Sequence, residues 1–306
     1  MALSPYIPYF DAHCDTLSRC LRTGESLLDA AGQCSLRRLS RYRPFGQIFA
    51  IFHDGAKAPP EGLWECTRRQ AALFQREKER YAASTNADGS GSGELLLSVE
   101  GGELLECDPE RLETAKTWGV RAVNLTWNRV NLLSGSHMEQ PERGLTDRGR
   151  AFVRRCGELG IFPDVSHLSD PGFFDLAEMN VLPLFASHSN SRAVCPHTRN
   201  LTDDQFRLIR DSGGVVGINL YTAFVGGDGS IDALLRHFDH FLELDGAHTL
   251  ALGSDWDGGI SGAGGIAGVE DMGKLADAME RRGYGAALIR DIFYGNLARF
   301  LGIQEK

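Results

Sequence analysis

Eight apolar, strand-like runs recur along the chain with helical stretches between them, and this repeat constrains the fold more than any other feature. The runs are residues 9–15, 46–53, 95–100, 120–127, 162–167, 184–188, 215–220 and 249–255. Helical patterns fill 62–82, 109–118, 146–159, 203–212 and 231–244, several opened by a capping Asp, Ser or Thr. Each run is apolar nearly throughout, as strands covered on both faces are, which favours a parallel sheet over a sandwich. Eight such strands alternating with helices predict an α/β chain folded as a (β/α)8 TIM barrel. A doubly wound open sheet is the runner-up, but no Gly-x-Gly-x-x-Gly turn follows the first run.

The 306 residues suit one barrel, since such barrels commonly run to about 250 residues as a single domain. A single domain is therefore expected over 1–306. The Gly/Ser-rich stretch 86–93 is too short to separate domains and reads as a flexible surface loop before the third strand. The Gly-rich stretch 258–268 follows the last strand and is expected as a mobile loop at the barrel mouth. A formal charge of −9, without a Lys/Arg cluster, argues against nucleic acid or an anionic membrane surface as partner. Residues 1–5 lack the basic and apolar regions of a secretory signal, and no apolar run approaches the ~18 residues that cross a bilayer. Seven scattered cysteines, with no Cys-x-x-Cys pair, fit reduced thiols in a cytoplasmic protein.

Candidate metal ligands fall at the ends of these runs. Strand alternation points His13 and Asp15 to one face and Cys14 to the other. Glu100 ends the third run, His167 the fifth, His188 the sixth and Asp255 the eighth. In a parallel barrel all these ends lie at one mouth, so residues distant in sequence converge. Imidazoles and carboxylates together suit zinc or a similar divalent ion, which makes the barrel one of metal-dependent hydrolase type. A carboxylate such as Glu100 can bridge two ions with its two oxygens. Two ions at ~3.5–4 Å hold a hydroxide between them, lower its pKa and polarise an amide carbonyl. Asp255 is suited to take the proton from that hydroxide and pass it to the leaving amine. Asp257 is the competing candidate, or a loop-anchoring acceptor.

The segments His13-x-Asp15, Ser98-Val99-Glu100-Gly101, Asp164-Val165-Ser166-His167, Ser187-His188-Ser189, Arg199-Asn200 and Gly253-Ser254-Asp255-Trp256-Asp257-Gly258 resemble those of the membrane dipeptidase (renal dipeptidase) family of zinc peptidases. Gly295-Asn296-Leu297-Ala298-Arg299 matches a similar element near the family's C-terminus, so the likeness covers nearly the whole chain. It implies a barrel with two zinc ions, one bound by His13, Asp15 and Glu100, the other by Glu100, His167 and His188. It implies Asp255 as catalytic acid/base and Arg199 as a substrate contact, a role a guanidinium suits by clamping a terminal carboxylate. Many members carry a His after the fourth strand that helps hold the reacting carbonyl, whereas this chain has Trp127-Asn128. An indole N–H is a neutral donor on a bulkier ring; Asn128, Asn131 and His137 are candidate substitutes, and stabilisation of the charge by the metal alone is the alternative. The family's animal members are secreted and membrane-anchored; without those signals this chain looks like a bacterial-type, cytoplasmic relative.

The expected function is hydrolysis of small dipeptides, with L-Xaa-D-Xaa as one candidate class. An N-acyl amino acid deacylase on the same scaffold is an alternative, and a non-catalytic metal-binding barrel is another of a different class. Tyr221 and Phe224 are candidates for shaping a substrate pocket, His53 for lining it, and His197 for supporting it. His237, His240 and His248 read as structural. A homodimer is an open expectation, because barrels of this kind commonly pair.

Overall fold

Each strand pairs in parallel with the next, and β8 with β1, which closes the sheet in chain order. In this computed structural model, which describes residues 7–88 and 93–304, the strands are β1 (Tyr9–Cys14), β2 (Phe45–Phe52), β3 (Glu94–Glu100), β4 (Val120–Asn124), β5 (Phe162–Asp164), β6 (Phe185–Ala186), β7 (Val215–Ile218) and β8 (Leu250–Leu252). Helices between them cover the outside, so the (β/α)8 barrel expected from the alternation is the fold. Several helices begin where a hydroxyl accepts a first-turn N–H: Thr146 from Gly149, Ser169 from Gly172 and Ser230 from Ala233. Thr202 and Gln205 form a reciprocal capping box. Each such cap stabilises its helix by about 0.5–2 kcal/mol and marks the turn from strand-following loop to helix.

The strands stop sooner than the apolar runs. β4 ends at Asn124, β5 at Asp164, β6 at Ala186 and β8 at Leu252. The residues beyond them turn out of the ladder to build the mouth. His167 and Asp255 have φ of 72° and 64°, a left-handed backbone that no strand accommodates. The helix Leu63–Asp88 runs into the stretch 86–93 expected as a loop, since Asn-Ala-Asp contains no helix breaker. Residues 89–92 of that stretch, and residues 1–5, lie outside the described ones.

Phe10, Ala12, Ile48, Ala122, Phe185, Val215 and Ala251 come from β1, β2, β4, β6, β7 and β8, yet pack in one cluster with Tyr294, Leu297, Ala298 and Leu301. Residues from all round the sheet meet only inside the barrel, so this cluster fills the lower interior and the C-terminal helix closes it. Asn296 ties that helix down by donating to the carbonyls of Ala247 (2.9 Å) and Leu250 (2.7 Å). Phe185 stacks on Phe300 with ring centres 5.2 Å apart. Phe185→Ala is expected to cost about 3–5 kcal/mol in denaturant unfolding, because the interior cannot collapse onto the void; a loss below about 1 kcal/mol would mean the lower barrel is loosely packed.

All seven cysteines are free thiols. Among the described residues, no helix is long and apolar enough to cross a membrane.

Candidate metal centre

The mouth is assembled from residues at or just past the strand ends. His13 is the penultimate residue of β1, in a strand whose register with β2 shifts between Asp11 and Cys14. Asp15 already precedes the helix Thr16–Thr23 and donates its backbone N–H to the Trp256 carbonyl at 2.7 Å. Glu100 is the last residue of β3. His167, His188 and Asp255 lie in the loops after β5, β6 and β8. The strained backbone of His167 is held by His137 N–H (2.9 Å) and the Thr126 hydroxyl (3.3 Å), both on its carbonyl. Asp255 N–H in turn donates to the His13 carbonyl at 3.2 Å. Non-glycine residues fixed in this conformation cost of order 1–3 kcal/mol each and cluster at functional sites.

Glu100 is central. Its Oε2 lies 3.6 Å from His13 Nε2, and its Oε1 lies 3.0 Å from His167 Nε2 and 3.6 Å from His188 Nε2. The two oxygens therefore face two different groups of ligand atoms. One atom each of His13, Glu100 and His188 lies within 4.8 Å of the others, and so does one each of His13, Asp15 and Asp255. All five expected ligands and Asp255 thus converge, and all are buried or nearly so.

Two features fit this donor set to divalent cations. Both ring nitrogens of His13 and Asp15 Oδ1 are buried without a hydrogen-bond partner, an arrangement that costs about 1–3 kcal/mol per group unless a ligand satisfies it. Charge points the same way. Burial opposes a proton on His13, but Glu100, Asp15 and Asp255 outweigh it and push its pKa up to about 10. Burial and Glu100 drive the Asp15 carboxyl well above its usual range. Burial, reinforced by Arg199, holds His167 down to about 4, and His188 is held well below its normal value by burial and by His13. Two imidazoles are kept neutral, as ligands have to be, while the carboxylates call for positive charge.

Buried acceptors that the strand-end pattern did not single out hold the ligands. Asp11 accepts from the backbone N–H of His13 (3.0 Å) and of Ser254 (3.1 Å), and also from the Ser254 hydroxyl, stapling β1 to the loop that carries Asp255. Asp164 does the same between β5 and β6, accepting from Ser166 N–H (2.9 Å) and Ser187 N–H (3.0 Å). Ser187 Oγ sits 2.6 Å from His188 Nδ1, so that His188 can present a bare Nε2. Asn219 donates to Asp255 Oδ2 at 3.1 Å, and its own carbonyl is fixed by Tyr221 N–H at 2.7 Å. Asp164 opens the Asp164-Val165-Ser166-His167 segment and Asn219 lies next to the end of the seventh run, whereas Asp11 lies inside the first run, where the strand-end pattern gives no signal.

A cleft of about 280 Å³ opens above the ligands, lined among others by Asp15, Glu100, Trp127, Asn128, His167, Tyr221, Phe224 and Asp255. Trp127 packs on Phe52 with ring centres 5.0 Å apart, forming one wall. Gly258 closes over the carboxylates, where an added Cβ would come within 2.3 Å of Asp255 Oδ1. The 258–268 stretch lies at the mouth as expected but is pinned, with Gly262 bridged to Tyr221 and Ala263 N–H on the Leu220 carbonyl (2.9 Å). Asp257 turns away to accept from Thr16 Oγ (2.7 Å) and Gln33 N–H (2.8 Å), which makes it the loop anchor. Arg199 lies buried behind the cleft, donating to Ser189 Oγ (3.2 Å) and the His188 carbonyl (3.1 Å). His197 lines the cleft, and His53 lines a neighbouring one. His237 is structural, accepting at Nδ1 from Ser191 N–H at 3.1 Å.

The family model for membrane dipeptidases, peptidase family M19, matches residues 1–306. A curated relative, an uncharacterised protein in the pqqA 5′ region of Klebsiella pneumoniae, is 34% identical over 219 residues, spanning 68% of this chain and 80% of its own. A metallo peptidase from Rhodobacter sphaeroides, solved with a phosphinate mimic of the dipeptide L-Ala-D-Ala, superposes with a TM-score of 0.86 at 30% identity and covers 97% of this chain and 99% of its own. The solved metallo peptidase called dipeptidase AC, of family M19, gives 0.84 at 32% identity, covering 96% and 98%.

Proposed function

The chain belongs to the membrane dipeptidase family and is a metallo-dipeptidase, and from that premise we propose that it cleaves small dipeptides, L-Xaa-D-Xaa among them, with two zinc ions. His13, Asp15 and Glu100 would hold one ion, and Glu100, His167 and His188 the other. The observation that carries this reading is Glu100, whose two oxygens face His13 on one side and His167 with His188 on the other. Ions bound there supply Lewis acidity, polarising the scissile carbonyl and lowering the pKa of the attacking water.

The chain's own residues do the rest. Asp255 takes the proton of the attacking water and returns it to the departing amine. Burial and Glu100 raise its carboxyl above the usual carboxylate range against the opposing pull of His13, which favours its taking up a proton. Asn219 keeps its Oδ2 in place. Trp127 and Tyr221 wall the cleft and exclude water, and Asn128 offers a polar contact to the bound dipeptide. Arg199 attracts the substrate's terminal carboxylate from behind the His188 loop, with its buried Nε unpartnered. A cleft of about 280 Å³ suits a small dipeptide better than a longer chain. The dipeptide mimic in the Rhodobacter sphaeroides relative supports a D-residue in second place.

A screen of L-Xaa-L-Xaa and L-Xaa-D-Xaa dipeptides beside N-acyl amino acids tests the substrate. Dipeptide turnover is expected, with L-Xaa-D-Xaa among the good substrates. Turnover confined to N-acyl amino acids would make the protein a deacylase.

A further inference from the structure

We propose that the side-chain amide of Asn128 is a catalytic donor, whose N–H group holds the reacting oxygen of the dipeptide as negative charge develops on it. The inference deepens the dipeptidase reading and rests on it.

Asn128 follows β4 and lines the cleft with Glu100 and His167. Its Oδ1 lies 2.8 Å from His167 Nδ1 and 2.9 Å from His137 Nε2. His167 directs its other nitrogen, Nε2, at Glu100 Oε1 and His188 Nε2, each 3.0 Å away. A histidine that ligates through Nε2 carries its proton on Nδ1. The group facing Nδ1 must then be an acceptor, which fixes Asn128 with its oxygen, not its nitrogen, toward His167. The same oxygen accepts from His137, so His137 is protonated on Nε2, and the Thr198 hydroxyl donates to its Nδ1 at 2.9 Å. Ser136 Oγ holds the Asn128 backbone carbonyl at 2.8 Å.

Both the backbone and the carbonyl of this amide are therefore pinned, which also fixes the direction of its Nδ2. Nδ2 has no hydrogen-bond acceptor among the described residues. A neutral donor left without an acceptor, on a residue that lines the cleft with Glu100 and His167 and whose carbonyl is fixed in advance, is the kind of group that stabilises an oxyanion without reorganisation. Nothing is transferred: the amide gives a hydrogen bond that strengthens as charge builds on the oxygen.

Asn128→Asp separates this role from simple support of His167. It keeps an acceptor oxygen for both imidazoles and removes the donor; Asn128→Ala removes both. The measurements are metal content, kcat and KM for a dipeptide turned over by the wild type, and inhibition by a phosphinate dipeptide analogue. For Asn128→Asp we expect wild-type metal content, KM within about threefold and kcat lower by about 10²–10³-fold. Phosphinate affinity should fall in step with kcat/KM in both variants, and Asn128→Ala should also bind metal about 10–100-fold more weakly. A kcat for Asn128→Asp within about threefold of wild type, or a loss matched by lost metal, would overturn the proposal and leave Asn128 a positioning residue. A wild type that binds no metal or cleaves no dipeptide would instead overturn the reading beneath it.

Discussion

Replacing Asp255 with Asn is expected to lower kcat for dipeptide hydrolysis by about 10²–10⁴-fold, the range for loss of a positioned acid/base, with metal content unchanged. The substitution is nearly isosteric and leaves a side chain that can hydrogen-bond but cannot carry a proton between water and amine. Asp255 is suited to that task by three features. Its backbone is held in the left-handed region at φ 64°. Asn219, itself fixed by Tyr221 N–H, donates to Oδ2. Asp257, the other acid of the motif, is committed to Thr16 and Gln33 and cannot stand in without releasing the loop. Because Asp255 also lies within 4.8 Å of ligand atoms of His13 and Asp15, metal analysis of the variant is decisive. Lost metal would make Asp255 a ligand; retained activity would move the proton transfer to another group.

Glu100→Gln is expected to reduce activity to background by a different route. A carboxamide offers one oxygen where the carboxylate offers two, so the two ligand groups lose their common member. Removing a shared ligand should weaken metal binding by more than the about 10–100-fold seen when a supporting group is lost. His13 would also lose the strongest of the charges that raise its pKa. Equilibrium dialysis against zinc checks the affinity directly. A variant that held its full metal complement would show that Glu100 does not bridge.

Much of this site was legible because a parallel barrel gathers strand ends at one mouth. His13, Glu100, His167, His188 and Asp255 were each identified as a polar residue ending an apolar run, and the fold brings them within ligand distance. The strand ends differ from the apolar pattern: His167 and Asp255 lie beyond their strands, since a left-handed turn leaves no trace in such a pattern. The supporting groups were harder to read for a different reason. Asp11 and Asp164 act on backbone N–H groups of neighbouring loops, and such contacts depend on which loops adjoin, not on residue type. Asn128 shows the same limit. Its adjacency to Trp127 is plain in the sequence, but the two imidazoles that pin its oxygen lie 9 and 39 residues away. Arg199 is anchored on His188 and Ser189, contacts that its place in the Arg199-Asn200 segment does not disclose.

His13, Asp15, Glu100, His167 and His188 are expected to form a two-ion centre beside Asp255. Elemental analysis of the purified, active protein tests it most directly. Close to two divalent ions per chain are expected, removed together with activity by chelation and restored together by zinc. Full dipeptidase activity in protein carrying one ion or none would contradict it.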